Sequence, residues 1–127
     1  MTEDPIARWK AIAKSRDLAA LEDLLAEDVV FLSPVVHTPQ RGRAITLKYL
    51  SAALHVLFNE TFSYVGEWRA PRSAVLEFVT VIDGVEIDGV DIIDWSEDGR
   101  ITQFKVMARP LKAINLLHRL MGERLAG

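Results

Sequence analysis

The 127-residue sequence contains no cysteine. That absence removes disulfides, thiolate nucleophiles and thiolate metal ligands together, and it excludes a small secreted domain held by cross-links. A surplus of positive charge is also missing: 15 Lys and Arg stand against 18 Asp and Glu, for a net charge of -3. With no basic excess to neutralise phosphates, no nucleic-acid partner is expected. The opening segment MTEDPIARWK lacks the apolar core of a signal peptide, and no apolar run approaches the ~20 residues needed to span a bilayer. No membrane partner is expected, and the expected location is cytoplasmic. Repeats, linkers and low-complexity segments are absent too. What is present is an ordinary globular balance, 50% apolar and 26% charged, which predicts a single domain over residues 1–127 with one hydrophobic core.

The first half reads as helical. Asp4-Pro5 sets a capping carboxylate before a proline at the first helical position, and Ile6, Trp9, Ile12 and Ala13 recur at helical spacing. Asp17 caps a second short helix whose stripe is Leu18, Leu21, Leu24 and Leu25. Val29 to Ser33 reads as a brief strand, and PVVHTPQRG, with two prolines and a glycine, reads as a loop. From Arg43 to Phe58 no breaker occurs, and the apolar positions leave only a narrow polar edge, so this third helix should be mostly buried.

The second half changes period. FSYVGEWRA, SAVLEFVTVI, VEIDGVDIIDW and RITQFKVMA read as four strands joined by hairpins, the clearest turn being Asp83-Gly84. A final helix follows Arg109-Pro110 with Leu111, Ile114, Leu117, Met121 and Leu125 on one face. Helices first and an antiparallel sheet afterwards define an α+β fold. Strand parity gives each strand one core face and one amphipathic face. Val79, Val81, Val90, Ile92 and Met107 share the outer face, rimmed by Glu77, Glu86, Asp88, Asp94 and Lys105. This is either an interface, which would make the protein a homodimer through its outer sheet face, or a tolerated scatter of surface apolar residues.

One residue breaks the pattern. Asp91 falls on the core side among Ile87, Ile93 and Trp95, where an unpaired carboxylate is costly or becomes protonated. Either Gly89 marks a bulge that returns Asp91 to solvent, or a buried partner satisfies it, or it belongs to a functional site. The three histidines, His37, His55 and His118, have neither the spacing nor the clustered carboxylates of a metal site, and no metal or other cofactor is expected.

The order of these elements, together with DLAALEDLLAEDVVFLSPVV, QRGRAITLKYL and DIIDWSEDGRITQFKV, resembles the SnoaL-like, nuclear transport factor two-like superfamily. The resemblance spans nearly the whole chain and implies a cystatin-like cone: a curved antiparallel sheet wrapped around the N-terminal helices and one long helix, here with an additional C-terminal helix. Its ketosteroid isomerase branch uses a tyrosine on helix one, a general-base aspartate at the end of the first strand and a protonated aspartate in the sheet. Trp9, Ser33 and Asp91 occupy those positions here, so one group of three is retained. Trp9 donates a hydrogen bond but is no acid, and Ser33 has no basicity of its own. His37, in the loop after Ser33, is either the substitute base or a solvent-exposed loop residue. The resemblance implies an apolar cavity holding Asp91, with walls from Trp9, Phe31, Leu50, Phe78 and Phe104, that takes a small apolar molecule. Two functions follow as expectations: cofactor-independent acid and base chemistry of isomerase, cyclase or lyase type, with Asp91 as acid and His37 as base, or noncatalytic binding by a dimeric accessory protein.

Overall fold

The computed structural model describes residues 4–126. Helix α1 spans Pro5–Ser15 and starts as its sequence dictates: the Asp4 carboxylate accepts the Ala7 N–H at 3.1 Å, and Pro5 takes the first turn. It stops at Arg16, whose left-handed φ of 62° closes the helix. Ile6, Trp9, Ile12 and Ala13 form its buried face. Helix α2, Leu18–Leu24, is capped by Asp17 and buries Leu21 and Leu24. Strand β1 runs Leu25–Leu32, four residues longer at its start than alternation predicts, because Ala26, Glu27 and Asp28 carry no strand signal. Within the predicted loop, Gln40–Arg41 forms the two-residue β2, and α3 occupies Arg43–Leu57.

The four predicted strands are β3 Ser63–Ala70, β4 Ser73–Ile82, β5 Val85–Trp95 and β6 Ile101–Arg109. Asp83 and Gly84 both have positive φ, 50° and 77°, as a primed hairpin turn demands. The sheet order is β2-β1-β6-β5-β4-β3. The sheet is mixed rather than purely antiparallel, since β1 pairs β6 in parallel. Strand periodicity carries no information about that pairing, which joins segments far apart in the chain. Four helices and this curved, unclosed sheet make an α+β fold.

Alternation sorts the faces as expected. Ala74, Leu76, Phe78 and Thr80 of β4, Ile87, Asp91 and Ile93 of β5, and Phe104 and Val106 of β6 are buried against the helices. Each large apolar side chain buried in this way is worth about 1.5–3 kcal/mol. Helix α4, Leu111–Ala126, packs on α3, β5 and β6. Its buried residues are Ala113, Leu116 and Leu117, so the predicted stripe is rotated, and Leu111, on the opposite side of the helix, is 74% exposed. No helix among the described residues is long and apolar enough to cross a membrane.

Candidate functional site

Asp91 points into the core, flanked in register by Leu76 of β4 and Val106 of β6. The register is regular through Gly89, which pairs with Phe78 and Ala108, so no bulge returns the carboxyl to solvent. Gly89 has a packing role: a Cβ there would overlap the Phe78 ring and stand 2.8 Å from the Met107 carbonyl oxygen. Asp91 is the one buried charged residue in the described core. Its Oδ2 accepts a 2.5 Å hydrogen bond from the Tyr64 hydroxyl, and the Tyr64 oxygen accepts the Trp9 indole N–H at 2.9 Å.

Helix, edge strand and central strand thus meet in one chain of hydrogen bonds. Burial pushes the Asp91 carboxyl up to about 7, and the Tyr64 bond opposes that shift only in part. The Tyr64 phenol is raised well above its usual value, by burial first and then by the adjacent Asp91 charge, so it stays protonated. A carboxyl that titrates near neutrality can hold or release a proton at physiological pH.

Beside this pair lies a half-open cleft of about 550 Å³ between α1, the end of α3 and the start of β3. Phe58, Phe62 and Tyr64 supply its aromatic wall, and Lys10, Lys14 and Arg16 its charged rim. The Phe58 and Phe62 rings stack at 3.8 Å, and Phe62 meets Tyr64 edge-on at 5.0 Å. The wall is held from behind. Thr80 donates to the Leu57 carbonyl at 3.2 Å and the Asn59 amide to the Val81 carbonyl at 2.9 Å, which pins the end of α3 to β4. An ionic ladder fastens β3 to α1: Lys10 to Glu67 at 2.8 Å, Glu67 to Arg69 at 2.6 Å, and Arg69 to Asp4 at 2.7 Å. Arg69 holds the Asp4 carboxyl below its usual value, and Lys10 does the same for Glu67.

Trp9 touches the site through its indole bond to Tyr64, and the other residues singled out from the sequence form packed core or lie in a second cleft. Trp9, Phe31, Leu50, Phe78 and Phe104 are each at most 2% exposed and form packed core, with Trp9 and Phe104 centroids 4.9 Å apart. Ser33 accepts the Val35 N–H at 3.1 Å. It shares a second cleft of about 610 Å³ with His37, Lys105 and Ile114. His37 is exposed there, and the hydrogen bond of Asp91 goes to Tyr64 rather than to His37. A void of about 30 Å³ remains under α4, between Phe31, Ser33, Leu117 and Met121. Among the described residues no three His, Asp or Glu side chains converge as metal ligands would. Tyr64, Phe58, Phe62 and the three cations were not identified from the sequence. The available signal was the parity of β3, which puts Phe62 and Tyr64 on the same side as the core.

A curved sheet with an inward acid, a protonated phenol against it and an adjoining cleft make up a cone-shaped α+β domain. The profile of the SnoaL-like domain matches residues 6–104, and the chain belongs to that family, within the nuclear transport factor two-like superfamily. The chain is similar to a steroid delta-isomerase from Pseudomonas aeruginosa, at 38% identity over 96% of this chain and 89% of the other, with a TM-score of 0.90. It is also similar to an uncharacterized bacterial protein with a cystatin-like fold from Silicibacter pomeroyi, at 30% identity over 94% and 84% of the two chains, TM-score 0.86. An NTF2-like protein of unknown function from Mesorhizobium loti shares the fold at 21% identity over 84% and 88%, TM-score 0.71. No curated protein matches the sequence.

Proposed function

We propose that the protein binds a small, mostly apolar cyclic molecule in the cleft between α1, α3 and β3, and that Asp91 and Tyr64 serve it as a cofactor-independent acid. The observation that carries this reading is the 2.5 Å bond between Tyr64 and a buried carboxyl poised at about 7. With Asp91 ionised, the phenol proton points inward to the carboxylate. Once Asp91 takes up a proton, the carboxyl donates instead, and the bond reverses. The Tyr64 oxygen has two lone pairs, enough for the Trp9 N–H and the Asp91 O–H, and its own proton is then released toward an acceptor in the cleft. A carbonyl oxygen gaining negative charge as solvent water in the half-open cleft takes the proton from the neighbouring carbon is such an acceptor. The 38% identity to a steroid delta-isomerase supports this class of chemistry.

The test is turnover of a cyclic β,γ-unsaturated ketone. Asp91→Asn retains size and a donor but loses the ionisable proton, so the rate should fall roughly 10²-fold while binding is kept. An unchanged rate would remove Asp91 from the chemistry. One observation favours a second reading, noncatalytic binding: the lining of the cleft contains no carboxylate and no histidine to act as base. Under that reading the ketone binds, Asp91→Asn binds it equally well, and neither protein turns it over.

We also propose that the outer sheet face pairs with a second copy of the chain. Trp68, Val81 and Met107 are 58%, 42% and 54% exposed there. Acidic Glu77 and Asp88 lie on the same face as basic Lys105, which suits a self-complementary two-fold contact.

A further inference from the structure

Taking the cleft as the ligand site, we infer that it selects a ring-bearing carboxylate, with the ring on the Phe58–Phe62 wall and the carboxylate between Lys14 and Arg16. The chain as a whole is acidic, with a net charge of -3, yet the charged side chains lining this cleft are Lys10, Lys14 and Arg16, all cations. Lys10 is already neutralised by Glu67 at 2.8 Å and leans over the Tyr64 ring at 5.9 Å. Lys14 and Arg16 have no carboxylate partner among the described residues.

Arg16 is also held in place. Its left-handed backbone ends α1, its Nε donates to the Ala13 carbonyl at 3.1 Å, and its Nη2 donates to the Phe58 carbonyl at 2.6 Å. Those two bonds leave other guanidinium N–H groups unused, in a planar fork that fits a carboxylate. The same Phe58 presents its ring to the cleft, so the anchor for the anion and the wall for the ring are parts of one assembly. Phe62 has both faces covered, by Phe58 and by Phe78, so a ligand of one or two fused rings meets this wall edge-to-face, and its carboxylate then reaches the rim.

The probes are 2-naphthoate and its uncharged counterpart 2-naphthamide, titrated into the full chain while the backbone amides of Ser63 and Tyr64 are followed by NMR. Naphthoate should bind about tenfold more tightly than naphthamide, and added salt should weaken naphthoate alone. Exposed Lys14 can be changed without disturbing the core: Lys14→Glu should abolish the preference, Lys14→Arg should keep it, and the distant Lys112→Glu should leave it intact. Equal affinity for the two probes, or equal losses from Lys14→Glu and Lys112→Glu, would overturn the anion selectivity and leave the cleft itself standing. If neither probe moves the Ser63 or Tyr64 signals, the cleft is not the ligand site, and both readings fail together.

Discussion

Asp91 sits between two apolar strand neighbours, Leu76 and Val106, and its hydrogen bond from Tyr64 stops short of full compensation for the water it has lost. The consequence is a pH-dependent stability. Unfolded, the carboxyl titrates near 3.8; folded, it titrates near 7. Between those values the folded protein binds the extra proton, so the contribution of Asp91 to stability is full below the unfolded value and is lost as pH rises toward 7. Asp91→Asn has no such proton. The stability of the wild type relative to this variant should therefore fall by about 1.4 kcal/mol per pH unit across the window and level off above it. Denaturant unfolding of both proteins at intervals from pH 4 to 8 measures this, and a difference independent of pH would contradict it. An inward Asp91 was legible from alternation along β5 alone. Its partner was not, because Tyr64 is 27 residues away and meets it only when β3, β4 and β5 pair.

Elements whose signals are local were readable, and those that depend on assembly were not. The Asp4-Pro5 start of α1, the Asp17 cap of α2 and the Asp83-Gly84 turn each rest on the conformational preferences of one or two residues, and each stands as predicted. The parallel β1–β6 pair brings together strands separated by α3 and the whole meander, which no local pattern encodes. The buried face of α4 departs in part from the predicted stripe for a related reason. Several faces of that helix carry leucine or isoleucine, and contact with α3 and the sheet buries Ala113 and Leu116 beside Leu117 of the predicted stripe, while Leu111 stays exposed. The cleft is likewise a meeting of two helix ends and a strand end. Helix α4 nonetheless covers apolar surface, since Phe31, Ala53, Leu57 and Val106 face the void beneath it. A chain ending at Pro110 should bind a hydrophobic dye and melt earlier, as expected for loss of a packed helix face. A truncated protein with unchanged melting and no dye binding would show that α4 contributes no cover.

At the scale of the molecule, the sheet divides the work between its two faces. The concave face builds the core around one acid, and the outer face, with Trp68, Val81 and Met107 exposed, is proposed to meet a second copy. Val90 is half-buried on that face, beside Met107 in register. Val90→Lys should convert dimers to monomers in sedimentation at micromolar concentration, and a variant that remains dimeric would place the interface elsewhere. The central claim concerns the inner face: helices, strands and Tyr64 together keep a carboxyl out of water so that it exchanges its proton near neutrality. The direct measurement is the titration of the Asp91 side-chain carboxyl by carbon NMR in the intact protein, assigned by its loss in Asp91→Asn. A midpoint near 7 is the predicted result; a midpoint at or below the ordinary aspartate value of about 4 would put the carboxyl in solvent or in an ion pair and contradict the site.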